Sequence, residues 1–114
     1  MEDCIFCKII GGQVPAEILY EDQNVFAFKD NLPAAPVHIL VIPKKHIRSL
    51  NDMELSDIDI LGQMVFQARQ LAKHHGLDQA GYRLVINTGP DAGQTVFHLH
   101  IHLLGGRKMP SRGN

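Results

Sequence analysis

His98-Leu99-His100-Ile101-His102-Leu103-Leu104 alternates polar and apolar residues without a break. Side chains of a β-strand point alternately to its two faces. A strand over 96–104 therefore puts His98, His100 and His102 on one face, and Leu99, Ile101 and Leu103 on the other, in a core. Chance placement on a solvated face explains three histidines at period two poorly. One metal held by all three is also disfavoured. At ~3.3 Å per residue the Cα atoms of His98 and His102 stand about 13 Å apart, while Zn–N bonds are about 2 Å long. Neighbouring pairs, about 6–7 Å apart, can still share a metal. The same spacing flanks His100 with two imidazoles around a volume that suits one phosphate group. A neutral imidazole nitrogen is a nucleophile toward phosphorus, and a flanking histidine can protonate a leaving group or offset phosphate charge.

The segment just before this strand, Thr88-Gly89-Pro90-Asp91-Ala92-Gly93-Gln94, is rich in turn residues. Glycines such as Gly93 allow the backbone to approach an anion closely, and Gln94 and Thr95 add side-chain donors. No Walker A loop and no carboxylate cluster for magnesium accompanies it, so histidines and backbone N–H groups must handle phosphate charge without a magnesium requirement.

Outward from there, hydrophobic patterning predicts strands over 17–21, 25–28, 38–42 and 82–87, with the first two forming a hairpin through Asp22-Gln23-Asn24. A loop with Pro33 and Pro36 precedes the third strand. Ile58, Leu61, Met64, Val65, Ala68, Leu71 and Ala72 recur at three- and four-residue steps, which predicts one long helix over 56–75. Ser56 is its expected N-cap and Gly76 its C′ residue. His74 and His75 then sit in the last turn, where a cation is favoured, and need no functional reading. A short helix over 5–10 stops at Gly11-Gly12, and residues 105–114 show no periodicity. Five strands, one long helix and one short helix without β-α-β alternation predict an α+β fold with a mainly antiparallel sheet.

The 114 residues make one domain's worth of chain, read as a single domain over 1–114. Eleven Lys+Arg against twelve Asp+Glu give a net charge of −1, which disfavours a charge-driven grip on nucleic acid. Seven histidines are the compositional excess. No apolar run approaches the ~20 residues of a membrane span, and no signal peptide is visible at Met1-Glu2-Asp3-Cys4, so a cytoplasmic location is expected. The only cysteines, Cys4 and Cys7, cannot build a disulfide framework. They also lack the preceding strand of a redox Cys-x-x-Cys, leaving half a zinc site open.

The strand quoted first is similar to the signature of the histidine triad family. Ile5-Phe6-Cys7-Lys8-Ile9-Ile10, Ala35-Pro36-Val37-His38-Ile39-Leu40-Val41-Ile42-Pro43-Lys44-Lys45-His46-Ile47, Gly81-Tyr82-Arg83-Leu84-Val85-Ile86-Asn87 and Gly105-Gly106-Arg107 resemble its other segments. The likeness is greatest to the histidine triad nucleotide-binding (Hint) branch, purine nucleoside phosphoramidases whose sheet extends across a homodimer. The resemblance implies that His100 is the nucleophile adenylylated on the way to AMP, that His102 meets phosphate and leaving group, and that His38 and His98 support them. It implies ribose binding by Asp30, a base wall at Phe28, and phosphate-side contacts from Asn87, Gly93, Gln94 and Thr95. Asn31 stands where relatives carry an aliphatic residue, Thr95 where many carry Ser, and the tail lacks the Trp of animal relatives. Some relatives hold a structural zinc through residues matching Cys4, Cys7, His46 and His98. A non-catalytic purine nucleotide-binding module and a dinucleoside polyphosphate hydrolase are the competing readings.

Overall fold

The computed structural model describes residues 3–111. The ends of the chain, on which part of the leader and tail readings falls, lie outside the described residues. Helix α1 (Ile5–Ile10) precedes strands β1 (Ile18–Glu21), β2 (Val25–Lys29) and β3 (Val37–Pro43). Helix α2 (Ile58–His74), β4 (Tyr82–Val85) and β5 (Ile101–Gly105) follow. The strands form one sheet in the order β1-β2-β3-β5-β4, and every neighbouring pair is antiparallel. The expected α+β class, strand number and helices are therefore present.

Register assigns the two faces. Phe28 lies opposite Leu40, and Leu40 opposite His102, so these side chains share one face with Phe26, Ile42 and His38. That face packs against Phe6 and Ile9 of α1. The opposite face carries Val25, Ala27, Ile39, Val41, Ile101 and Leu103, which pack against Met64, Ala68, Leu71 and Ala72 of α2. The sheet thus separates α2 from α1, and the triad face lies on the α1 side.

Three boundaries differ from the sequence expectation by two residues or more. The fifth strand begins at Ile101 rather than residue 96. Its partner β3 ends at Pro43, which has no N–H for the ladder. The preceding residues follow the chain beyond β3 instead, where Leu99 N–H donates to the Ile47 carbonyl at 2.7 Å. The alternation nevertheless holds: Leu99 joins the α2-side core, while Phe6 packs edge-on against both His98 and His100. β4 stops at Val85 rather than 87 because Val85 pairs with His102, one residue from the start of β5. The long helix starts at Ile58 through a 3₁₀ turn at Leu55–Asp57. Buried Asp57, not Ser56, closes its first turn, accepting from Glu54 N–H at 3.0 Å and from Lys45 Nζ at 2.6 Å. Ile58 and Val65, expected on the buried stripe, are exposed on the flank of α2 away from the sheet. At the other end Gly76 takes the left-handed conformation of a C′ residue, with φ +74°, and His75 bonds the Leu71 carbonyl at 2.9 Å.

Candidate active site and metal centre

A cavity of about 590 Å³ opens on the α1 side of the sheet. His100, His102 and Thr95 line it together with Asp30 and Phe28, and Ile9, Val14 and Ala16 add apolar surface. Five of the residues singled out from the sequence therefore meet here.

Hydrogen bonds fix the tautomers. Ala34 N–H donates to Nδ1 of His38 at 3.0 Å, so a neutral His38 carries its proton on Nε2. That N–H meets Nδ1 of His102 at 2.9 Å, with Asp30 Oδ2 at 3.4 Å as a second acceptor. His102 therefore accepts at Nδ1 and carries its own proton on Nε2. His100 donates from Nδ1 to the carbonyl of His98 at 2.7 Å, which leaves Nε2 as a bare lone pair. His98 donates from Nε2 to the Pro43 carbonyl at 2.8 Å, which leaves Nδ1 bare. The position of His100 outside the strand is what lets its ring reach the carbonyl two residues back.

Burial keeps these rings neutral. It lowers the pKa of His38 and His100, and it holds His98 and His102 down to about 4. Neighbouring imidazoles add to the effect on His98 and His102, because one charged ring repels the next. Asp30 is oriented by the Leu32 N–H, which donates to Oδ1 at 2.8 Å.

The turn before the triad is built as its glycines allow. Gly89 and Gly93 have φ of +85° and +86°, flanking a 3₁₀ turn at Pro90–Ala92. The side chains there differ from expectation. Gln94 is buried, and its amide is spent inside the protein. Oε1 accepts from Gly89 N–H at 2.8 Å, and Nε2 donates to the carbonyls of Arg48 and Val96 at 3.0 and 3.1 Å. Asn87 donates to the Ala92 carbonyl at 2.9 Å. Asn87 and Gln94 brace the turn from behind, and neither they nor Gly93 line the cavity; Thr95 does. The sequence reading also missed Phe6. Its ring stands 5.4 Å from Phe28 and 5.2 Å from His100, edge to face, and closes the cavity from α1. Its position between Cys4 and Cys7 in a short amphipathic helix was the available signal.

Behind His100, Sγ of Cys4 and Cys7 and Nδ1 of His46 and His98 converge, all four lying within 4.8 Å of one another. Cys4 Sγ to His98 Nδ1 is 3.3 Å, Cys7 Sγ to His46 Nδ1 is 3.4 Å, and the two Nδ1 atoms are 3.2 Å apart. Zn–S bonds of about 2.3 Å and Zn–N bonds of about 2.0–2.1 Å give a tetrahedron with edges of roughly 3.3–3.8 Å. The donor set fits that ion in number, kind and spacing. The Nδ1 lone pair of His98 faces the centre because its other nitrogen is held by Pro43. Without a cation, burial and the adjacent Cys4 push the Cys7 thiol up to about 11, and a bound divalent ion reverses that preference. Asp30, His38 and His102 form a second group of three donors. There the Ala34 contact puts a proton on His38 Nε2, so an N–H rather than a lone pair points inward.

The HIT domain family matches residues 11–109 of the chain. An uncharacterized HIT-like protein of Synechococcus elongatus is 53% identical over 108 residues, covering 95% of this chain and 94% of its own. A 14 kDa zinc-binding protein of Brassica juncea is 49% identical over 109 residues, covering 94% and 96%. Among solved structures, a HIT family hydrolase from Legionella pneumophila superposes with a TM-score of 0.94 at 48% identity, covering 96% of this chain and 97% of its own.

Proposed function

The chain belongs to the HIT domain family, and on that premise we propose that it is a Hint-branch hydrolase that cleaves the P–N bond of purine nucleoside 5′-phosphoramidates to AMP and an amine. The observation that carries this reading is the bare Nε2 lone pair of His100, fixed by the 2.7 Å bond from Nδ1–H to the His98 carbonyl. That lone pair attacks the α-phosphorus, a P–N bond to His100 forms, and the amine departs with the electron pair of the substrate's P–N bond. His102 presents Nε2–H to the departing nitrogen, and the negative charge of bound phosphate raises the affinity of the His38–His102 pair for the proton that the amine carries away. Water then attacks the same phosphorus, gives a proton back to the His38–His102 pair, expels Nε2 with the electron pair of its P–N bond and releases AMP. Asp30 holds the ribose hydroxyls through Oδ2, and Phe28 and Phe6 are part of the apolar lining that takes the purine. Thr95 contacts the phosphate.

Cys4, Cys7, His46 and His98 are proposed to hold zinc, in line with the zinc-binding name of the Brassica relative. Bound there, the ion supplies a structural cross-link and no open coordination position. It ties α1, and with it Phe6, to the segment that orients His100. The Legionella neighbour is named a hydrolase, which favours an enzyme over a binding module of the same pocket. Two copies are proposed to pair through β4, a four-residue edge strand that exposes Tyr82 and Leu84. No helix among the described residues is long and apolar enough to cross a membrane.

The test is amine release from a fluorogenic adenosine phosphoramidate. Wild-type turnover that disappears in His100→Ala, with AMP still bound by the variant, is expected. Retained turnover in the variant would end the assignment of His100. Faster cleavage of a diadenosine polyphosphate than of the phosphoramidate would favour the competing hydrolase.

A further inference from the structure

A second cavity, of about 430 Å³, adjoins the nucleotide cavity. Ile5, Thr95 and Val96 line both, so the two meet along that strip. Thr95 lines the first cavity together with His100 and His102, and it also lines the second. A substituent on a phosphorus held at His100 therefore has the second cavity within reach past Thr95 and Val96. Arg48, Phe97 and Asp3 are among the residues that line that cavity, beside Cys4 and His46 of the candidate metal centre.

Arg48 is an exposed cation set over an aromatic ring. Its guanidinium carbon stands 4.5 Å from the centroid of the Phe97 ring. Stacking on an aromatic face sets the plane of the guanidinium without using its N–H donors. Among the described residues Arg48 makes no ion pair, unlike Lys29, Lys44 and Lys45, which each meet a carboxylate. Its own carbonyl is tied to Gln94, which anchors the residue to the turn before the triad. Asp3 also lines this cavity, yet Arg48 is paired with no carboxylate among the described residues, and an exposed guanidinium with its donors unspent favours an anionic group of planar or tetrahedral form.

We propose that this second cavity is the leaving-group subsite, and that Arg48 makes the protein prefer departing amines that carry a negative charge, a carboxylate or a phosphate. The inference rests on the phosphoramidase reading above and adds the chemical class of the amine. The amine of an amino acid fits this class, with its nitrogen bonded to phosphorus and its carboxylate reaching Arg48. The reaction remains the one already written: the P–N bond to the amine breaks, the nitrogen takes one proton, and the carboxylate does not react.

The experiment compares kcat/KM for adenosine 5′-phosphoramidates of glycine, glycinamide, ethylenediamine and aminomethylphosphonate in wild type, Arg48→Ala and Arg48→Glu. Intrinsic differences between the amines cancel when each ratio is compared across proteins. The glycine-to-glycinamide ratio is expected to fall about tenfold in Arg48→Ala and further in Arg48→Glu, which should instead gain on ethylenediamine. The wild-type preference should also weaken with added salt. The aminomethylphosphonate arm separates a carboxylate from a phosphate-type anion. Turnover of all four with ratios unchanged in Arg48→Glu would overturn the subsite and leave the phosphoramidase reading standing. Absence of turnover in wild type would overturn the phosphoramidase reading. The subsite is then read by calorimetric binding of the same compounds to wild type and Arg48→Glu. Weaker binding of the glycine compound to the variant supports the subsite, and equal affinities sink it.

Discussion

Replacing His38 by alanine cuts the relay that sets the tautomer of His102. Three groups lose their partner: Ala34 N–H, His102 Nδ1 and Asp30 Oδ2, which stand 3.0, 2.9 and 3.4 Å from the ring nitrogens of His38. The bond to His102 is the one that bears on chemistry. A neutral hydrogen bond contributes about 1 kcal/mol, and 1.36 kcal/mol is tenfold in rate, so loss of the bond alone slows the step about fivefold. A ring freed to turn over also forfeits part of a general-acid contribution of roughly 10²–10⁴. His102 itself remains, so release of a basic alkylamine is expected to slow about 10–100-fold. A good leaving group, which needs little protonation, should slow less than about fivefold. The assay is single-turnover amine release from paired adenosine 5′-phosphoramidates, with thermal unfolding of the variant measured alongside. Equal slowing of both substrates would refute the relay, because it would place the role of His38 in binding or folding.

Four further outcomes follow from the same geometry. Protein expressed with zinc should carry about one ion per chain. Cys7→Ser should lose it and bind AMP more weakly, because Phe6 is no longer held against the cavity; metal analysis and calorimetry read the two effects. Stability should decline as pH falls from about 6.5, where histidines of the unfolded chain begin to protonate, toward about 4, where half-buried His102 takes up its proton. The sign follows from the unfolded chain binding more protons in that window, and thermal unfolding across it checks the result. Gly106→Ala should destabilise the fold by roughly 1–3 kcal/mol, because Gly106 has φ +94° and a Cβ there would meet Pro36 Cβ at 2.8 Å; chemical denaturation measures it. Leu84→Glu on the β4 edge should convert a dimer into a monomer in light scattering.

Much of the fold was legible because the determining signals are local. The alternation from His98 to Leu104 reads correctly as two faces, and the three- and four-residue steps of Met64, Ala68, Leu71 and Ala72 read correctly as a helix on a core. The boundaries were less legible because they depend on partners distant in sequence. β5 starts at Ile101 only because β3, over fifty residues earlier, ends at Pro43. Asp57 outranks Ser56 at the head of α2 because Lys45 arrives from another segment.

The site shows the same division. Convergence of Cys4, Cys7, His46 and His98 was accessible from resemblance, and the donor spacing gives it a physical basis. Gln94 was read as a donor toward phosphate because its type and position allow that. Its burial against Arg48, Val96 and Gly89 is tertiary information. Arg48 carried no signal at all, since its meaning depends on Phe97, a ring 49 positions along the chain. The tautomers of His38, His98, His100 and His102 likewise depend on carbonyls and N–H groups that only the folded backbone brings into place.

The central claim is that His100 attacks phosphorus and forms a covalent intermediate. The stereochemical course at phosphorus tests it most directly. An adenosine phosphorothioamidate of known configuration, hydrolysed in isotopically labelled water, should give product with configuration retained, because two in-line displacements at one phosphorus restore it. Inverted product would mean that water attacks directly, and would contradict the account.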